Sequence, residues 1–252
     1  MKPPATDLWI ALVIVLPVIM LWEIAVRLLQ IPPYLLPAPL QVLNTLAENA
    51  ETYASASLVT LGEALAGLLL GLIAGVGTAA LLGLWPRLER GVMTLAILVK
   101  STPLVAIAPL LTIWLGFGVF PKVIITALLT FFPVLVNTLS GFRSTDTAVL
   151  DTFRAWNASR WEVFLNARVP SALPHLFAAL KVAAPLALIG AVVAEWTGAS
   201  GGLGRTMWLA YTNLNLPFLF AAVFVLAAMG IGLYSLVTFT EKKVIFWEGI
   251  KP

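Results

Sequence analysis

The sequence contains no cysteine and a single histidine, His175. The lack of cysteine excludes disulfide bridges and thiolate metal sites, and one histidine without a carboxylate cluster argues against a metal-centred enzyme. No Gly-Lys dipeptide occurs, so the chain has no phosphate-binding loop of the G-x-x-x-x-G-K-[ST] type and is expected not to hydrolyse ATP by itself. No HExxH motif or nucleophile beside a base is present. We therefore expect no catalytic residue, metal or cofactor in this chain.

Charged residues are also scarce. They make up 11% of the 252 residues, whereas 60% are hydrophobic, so the chain lacks the polar surface that a soluble globule of this size needs. Six apolar runs are long enough to cross a hydrocarbon core. They cover residues 8–29, 57–85, 91–115, 119–142, 174–195 and 217–240. The sequence thus predicts an all-α membrane protein with six transmembrane helices in one domain, residues 1–252.

Basic residues are distributed unevenly between the two sides of the predicted bundle. Cytoplasmic loops of membrane proteins carry an excess of Lys and Arg. Only Lys122 and Arg205 fall on one side. The side that holds both chain ends and the 143–173 loop carries Lys2, Arg87, Arg90, Arg143, Arg154, Arg160, Arg168, Lys242, Lys243 and Lys251. We therefore expect both termini and the 143–173 loop to be cytoplasmic.

Two patterns predict local packing. Pro39 favours the start of a short interfacial helix, because Leu40, Leu43 and Leu46 follow at near-helical spacing. On the second span, small residues recur every fourth position and predict close contact with another helix. They are Gly67, Gly71, Gly75, Ala79 and Gly83. The spacing leaves open whether that contact lies within the chain or between two copies.

Ionisable groups at membrane depth are costly unless they face water or a partner. Lys100 lies near the middle of the third span and is a candidate for a translocation path; snorkelling of its stem or an ion pair with Glu63 are the alternatives. Glu195 ends the fifth span and is a second candidate, with an ordinary interfacial position as its alternative. Prolines within spans remove backbone donors and favour kinks. The candidate path residues are Lys100, Thr102, Pro103, Asn137 and Glu195.

The longest polar stretch between apolar runs is residues 151–174, DTFRAWNASRWEVFLNARVPSALP. It mixes charged side chains with large apolar ones, a composition suited to docking another protein. The charged residues include Arg154, Arg160, Glu162 and Arg168, and the apolar ones Phe153, Trp156, Trp161 and Phe164. The segment therefore predicts a surface that a partner binds outside the bilayer.

This segment resembles the cytoplasmic EAA loop of the inner-membrane permeases of binding-protein-dependent ABC importers. In that pattern, E-A-A-x-x-x-G is followed further along by I-x-L-P. Asp151 stands at the glutamate position, Asn157 at the glycine and Pro170 at the closing proline, while Thr152 and Phe153 replace the two alanines. Asparagine tolerates the left-handed conformation that glycine often supplies, so the turn is expected to persist.

The resemblance covers nearly the whole chain. LLPAP near residue 35, STPLVAIAPLLTIWLGFG at 101–118 and AEWTGASGGLG at 194–204 are similar to the permeases for aliphatic sulfonates, taurine and nitrate. They are also similar to the related permeases for thiamine-pyrimidine precursors and riboflavin. The implied role is the translocation path for a small organic solute or anion of these kinds, in a bacterial inner membrane.

The resemblance further implies a type I-like permease whose residues 151–164 form a coupling helix in a cleft of an ATPase. The coupling residues would be Asp151, Arg154, Asn157, Ser159, Arg160, Trp161, Glu162, Phe164 and Pro170. Arg154, Arg160 and Glu162 would supply charged contacts, and Trp161 and Phe164 would be apolar anchors. Implied partners are two ATP-binding subunits that hold ATP and Mg, a second permease copy, most simply an identical one, a periplasmic or lipid-tethered solute-binding protein, and membrane lipids. Nucleic acid is not expected.

Two other classes remain open on the sequence. An ATP-independent secondary transporter should tolerate scrambling of the 143–173 loop without loss of flux. A membrane substrate-binding module working beside a separate energy-coupling protein should bind its solute tightly alone. Neither class explains an EAA-like segment on the predicted cytoplasmic side.

Overall fold

The computed structural model describes residues 4–246, with side chains from residue 13 onward, and every regular element in that part of the chain is helical. A 3₁₀ turn, Pro86–Leu88, precedes α4, and a π-helical turn, Phe164–Arg168, joins α8 to α9. The predicted all-α architecture is confirmed. The helices are α1 (Pro4–Leu28), α2 (Pro39–Glu48), α3 (Ala50–Leu84), α4 (Glu89–Ser101), α5 (Leu104–Leu115), α6 (Val119–Arg143), α7 (Thr147–Ala155), α8 (Arg160–Val163), α9 (Val169–Glu195), α10 (Leu203–Thr212) and α11 (Leu216–Val244).

Within residues 4–246, four helical runs are long and apolar enough to cross a membrane, and α4 with α5 makes a fifth if this bent pair is one span. α3, α6, α9 and α11 lie where the second, fourth, fifth and sixth spans were predicted. α1 overlaps the first predicted span, but the side chains of its first residues are not described, so the count of six stays a prediction. Lys2 and Lys251, used in the orientation argument, lie outside the described residues.

The third predicted span, residues 91–115, is not one straight helix. α4 and α5 meet at an angle of 93°. Pro103 lacks a backbone N–H, and a residue before proline is disfavoured in the helical conformation. Thr102 accordingly has an extended backbone with ψ 130°. The sequence predicted a kink at Pro103 but not a bend of this size.

The centre of the bundle is formed by α3, α6 and α9, which pack along most of their lengths. The small residues of α3 make this possible. A Cβ at Gly71 would overlap the Thr130 hydroxyl and lie 2.8 Å from the Ala127 carbonyl oxygen, and one at Gly75 would lie 2.7 Å from a Val134 methyl. The small-residue face therefore packs against α6 of the same chain, which decides between the two open alternatives.

α2 and α10 complete one end of the bundle by packing on α11. α2 begins at Pro39, as predicted. Tyr53 at the start of α3 donates a hydrogen bond of 3.0 Å to the Phe218 carbonyl oxygen. Because α6 and α9 run in opposite directions, the start of α6, the end of α9 and α10 share this end. The segment between α6 and α9 lies at the opposite end.

Candidate functional site

The EAA-like segment folds as two short helices rather than one. We define the coupling segment as residues 147–168, which contains α7, α8 and the π-helical turn. α7 begins behind Asp146, whose Oδ1 accepts a hydrogen bond of 2.9 Å from the Ala148 N–H. α7 ends at Ala155, and α8 begins only at Arg160. The prediction of one continuous coupling helix over residues 151–164 was therefore wrong.

The break between the two helices is a turn around Asn157. Asn157 has φ 53°, the left-handed conformation expected for the residue at the glycine position of the family pattern. The Ala158 N–H donates to the Phe153 carbonyl and the Asn157 N–H to that of Arg154, each at 3.0 Å. These two bonds cap the end of α7 as a Schellman motif. The turn is thus preserved although Asn157 stands at the glycine position.

The second helix starts with a reciprocal cap. The Ser159 hydroxyl accepts from the Glu162 N–H at 3.2 Å, and the Glu162 carboxylate accepts from the Ser159 N–H at 2.7 Å. This capping box satisfies two backbone donors that otherwise lack partners at a helix start. The Glu162 carboxylate, predicted as a charged contact for a partner, is therefore engaged within its own segment.

Exposed residues of the coupling segment include two tryptophans and two arginines. Trp156 is 73% exposed and Trp161 57% exposed. Arg160 is exposed, and Arg154 forms an exposed ion pair of 2.6 Å with Asp151 one helical turn earlier. Large aromatic and arginine side chains together are typical of protein interfaces. The predicted roles of Trp161 and Arg160 are compatible with this placement.

Phe164 does not share that exposure. It is 5% exposed and packs on Phe142, with the ring centroids 5.0 Å apart, while Trp161 stacks on its other side at 5.6 Å. Phe164 therefore belongs to the core between α3, α6 and α9. The prediction that Phe164 is an anchor for a partner was therefore wrong. Its buried ring instead packs against the inner face of the exposed Trp161.

The coupling segment is tied to the bundle at its last residues. Arg168 Nη1 donates a hydrogen bond of 3.0 Å to the Gly83 carbonyl oxygen at the end of α3. Pro170 is the second residue of α9 and is half-buried. The π-helical turn precedes it, with the Val169 N–H donating to the Phe164 carbonyl. Because of this turn, α8 and α9 form one helical run, Arg160–Glu195, of 36 residues.

The candidate path residues lie in three places. Lys100 is exposed, and its Nζ lies 4.5 Å from the centroid of the Phe132 ring, near Thr102 and Pro103 at the bend between α4 and α5. Asn137 lies more than a helical turn beyond Phe132 on α6 and donates 2.8 Å to its own helix at the Pro133 carbonyl. Glu195 lies at the other end of the bundle core. Of the five candidate path residues, only Lys100, Thr102 and Pro103 therefore lie together.

Glu195 is fully buried, so the prediction that it lines a path or lies at the interface was wrong. Its carboxyl accepts a hydrogen bond of 2.6 Å from the Thr60 hydroxyl. Glu63 and Lys122, exposed by 2% and 8%, form an ion pair of 2.6 Å beside it. We call Thr60, Glu63, Lys122 and Glu195 the polar cluster. Glu63 thus pairs with Lys122 and not with Lys100, the partner considered from the sequence.

The sequence reasoning missed this cluster because Lys122, near the start of the predicted span 119–142, was counted only as a basic residue on the outer side. Its position at the fourth residue of α6, facing a small-residue helix, was the signal that could have indicated burial. Among the described residues, no group of three or more His, Cys, Asp or Glu side chains is arranged to hold a metal ion. The chemistry available at the cluster is therefore hydrogen bonding and charge pairing.

Comparison with known proteins gives three results. Residues 67–246 match the family model of the binding-protein-dependent transport system inner membrane component. The chain is 35% identical to the formylaminopyrimidine transport permease protein ThiX of Halalkalibacterium halodurans, over 90% of this chain and 91% of the relative. It is 32% identical to the riboflavin transport system permease protein RibX of Chloroflexus aurantiacus, over 97% and 91%.

Solved structures share the fold. An inward-facing MetNI methionine ABC transporter matches with a TM-score of 0.66 at 18% identity, covering 78% of this chain and 96% of that chain. At this identity the match supports the arrangement of helices and not a shared solute.

Proposed function

This chain belongs to the family of binding-protein-dependent transport system inner membrane components, and from that membership we propose how its coupling segment works. It is a permease subunit of an ABC importer, a transport component whose ATPase is a separate subunit and whose solute arrives on a binding protein. Our proposal is that α8 is the part of the permease that the ATPase moves. Trp161, Trp156 and Arg160 would make the contact.

One observation carries this proposal: the exposed Trp161 is fixed at the start of a helix that continues into a membrane span. The capping box sets the start of α8, and Phe164 supports the Trp161 ring from the core side. A displacement of α8 would therefore be passed to α9 through continuous backbone hydrogen bonds rather than absorbed in a loop. ATP-driven closure of the ATPases would act on the fifth span in this way.

The assembly that we propose contains two permease copies and two ATP-binding subunits. The partner subunits would bind ATP and Mg, and this chain would carry no catalytic activity of its own. We propose that the second copy packs on the bent pair α4 and α5, which exposes large apolar side chains, including Leu95 at 63%, Ile113 at 70% and Trp114 at 72%. Lipid or the second copy would cover them. A periplasmic or lipid-tethered binding protein would dock at the end that carries α10.

We propose that both termini are cytoplasmic, together with the coupling segment, on the basis of the basic-residue distribution. Lys100, Thr102 and Pro103 would line the translocation path at the bend between α4 and α5, with Asn137 further along it. An exposed lysine over an aromatic ring at membrane depth favours a solute with an anionic group. The proposed solute is a sulfonate-like or nitrate-like anion, or a pyrimidine vitamin precursor or riboflavin-like heterocycle.

The test is co-purification of the ATP-binding subunits with tagged Trp161→Ala. We expect loss of most of the bound ATPase, because a central interface tryptophan contributes about 2 kcal/mol or more. Trp208→Ala is the matched control, since Trp208 is an exposed tryptophan on α10, at 39%, at the opposite end of the bundle. ATPase recovery equal to wild type in both variants, with ATP-independent flux in vesicles, would refute the proposal in favour of a secondary transporter.

A further inference from the structure

The polar cluster does more than neutralise buried charge, because it reaches the first turn of α10. The Glu195 Oε2 accepts a hydrogen bond from the Gly204 N–H. The Thr60 hydroxyl accepts from the Leu203 N–H at 2.8 Å and donates to Glu195 Oε1 at 2.6 Å. Leu203 and Gly204 are the first two residues of α10. One carboxyl group, directly and through one hydroxyl, therefore satisfies both N–H groups.

The chain around Glu195 is shaped to admit this carboxyl. Gly202 has φ 101°, a conformation that L side chains rarely adopt, and a Cβ there would overlap the Glu195 carboxyl. A Cβ at Gly204 would lie 2.7 Å from Glu195 Oε2. Both glycines fall in the AEWTGASGGLG stretch at 194–204. The last residues of this stretch thus leave space for the side chain of Glu195, its second residue.

Among the residues that the structure describes, Glu195 forms no direct ion pair, although Lys122 lies nearby. Lys122 is hydrogen-bonded to Glu63. The positive end of the α10 dipole and its N–H groups are what lie against Glu195. If α10 moved away, the buried Glu195 carboxyl would lose the Gly204 N–H as a donor, and loss of a hydrogen-bond partner from a buried polar group is unfavourable.

We infer that Glu195 and Thr60 are positioning residues that hold α10 and the preceding 196–202 turn against the bundle as a latch. The latch joins α3, α9 and α10, and the Glu63–Lys122 pair extends it to α6. It lies at the end of the bundle opposite the coupling segment. Its release is the step that would let α10 move when the outer end of the permease opens. The effect on transport rests on the proposed function, whereas the latch itself rests only on the contacts described above.

The test exploits the absence of cysteine, which makes any introduced cysteine unique. Ala210, on α10 and 4% exposed, is changed to cysteine as the reporter of α10 release. Ala183, fully buried on α9, is changed to cysteine in separate proteins as the reporter of global unfolding. The measurement is the rate of reaction with a maleimide, using the full-length protein in detergent micelles.

We expect Thr60→Val to raise the reaction rate at position 210 by about 10-fold or more, because the Leu203 N–H loses its acceptor and Glu195 loses a donor. Glu195→Gln should also raise it, since one amide oxygen replaces two acceptors. Thr60→Ser keeps the hydroxyl and should restore a rate close to wild type. Thr130→Val is the matched control, because Thr130 is equally buried but bonds only to carbonyls of its own helix.

Two results would overturn the latch. One is an unchanged rate at position 210 in both Thr60→Val and Glu195→Gln. The other is an equal rise at position 183, since this would mean loss of the whole fold rather than release of α10. ATP-dependent uptake by the complete importer is measured in parallel, and Thr60→Val should slow it while the ATP-binding subunits still co-purify. Absence of ATP-dependent uptake by wild type would refute the proposed function and leave the labelling result to decide the latch.

Discussion

The ion pair between Lys122 and Glu63 allows a prediction whose size and order follow from the charges present. Both side chains are almost fully buried, and Glu195 lies beside them as a second acid. Replacing Lys122 by Met leaves an unbranched apolar side chain one atom shorter, and two buried carboxyl groups without a cation. Removal of one partner of a buried pair costs about 3–5 kcal/mol. We expect Lys122→Met to lower the unfolding free energy by that amount.

Glu63→Gln should be much less harmful than Lys122→Met. It leaves one acid, Glu195, beside one base, Lys122. The cost is then that of a weakened hydrogen bond, about 1–3 kcal/mol. The double variant Lys122→Met with Glu63→Gln removes both members of the pair and should be more stable than Lys122→Met alone. We therefore predict an order of unfolding free energies: Glu63→Gln and the double variant should both be more stable than Lys122→Met.

The measurement is thermal unfolding in detergent at fixed pH, followed by intrinsic fluorescence of the nine tryptophans. A loss of 3–5 kcal/mol corresponds to a decrease in Tm of about 6–20 °C for a domain of this length. Lys181→Met is the control, because the Lys181–Glu241 pair is more exposed, at 25% and 21%, and should cost less. A Glu63→Gln protein as unstable as Lys122→Met, or a double variant less stable than both, would refute the reasoning.

Three further predictions concern the packing of the bundle and the coupling turn. Phe164→Ala should lower the unfolding free energy by about 3–5 kcal/mol in the same fluorescence assay, because the ring is buried against Phe142; full stability with loss of ATPase binding alone would contradict its assignment to the core. Gly71→Ala should lower the unfolding free energy by about 1–3 kcal/mol, because its Cβ would overlap Thr130. A Cβ at Gly77 would meet nothing within 4 Å, so Gly77→Ala should leave stability unchanged or raise it. Asn157→Gly should leave stability unchanged or slightly raised, while Asn157→Ala should lose about 1 kcal/mol to the left-handed backbone; equal stability of the two would argue against a strained turn.

Features that depend on local spacing could be predicted from the sequence. The small residues of α3 recur every fourth position, and a close helix contact follows from that alone. Asn157 stands where a left-handed turn was expected, and its φ confirms the expectation. Pro39 opens a short helix for the same local reason, since its fixed backbone angle suits a first helical turn.

Features that depend on a distant partner could not be predicted. Glu63 and Lys122 are 59 positions apart, and no pattern around either residue indicates which opposite charge it meets. Trp161 and Phe164 are three positions apart on one helix face, so spacing does not tell which ring faces the core and which faces out. The bend at Pro103 was expected in kind, but its angle depends on how α4 and α5 pack against α6 and α9.

The helical run Arg160–Glu195 has a mechanical consequence. Thirty-six residues at the α-helical rise make a rod of about 50 Å, with Trp161 near one tip and Glu195 at the other. If this rod pivots near one tip, a tilt of about 5° displaces the far tip by about 4 to 5 Å, more than the reach of a hydrogen bond. If α8 binds the ATPase as proposed, a small tilt imposed near Trp161 would therefore move the Glu195 end by more than the length of the hydrogen bonds that hold α10.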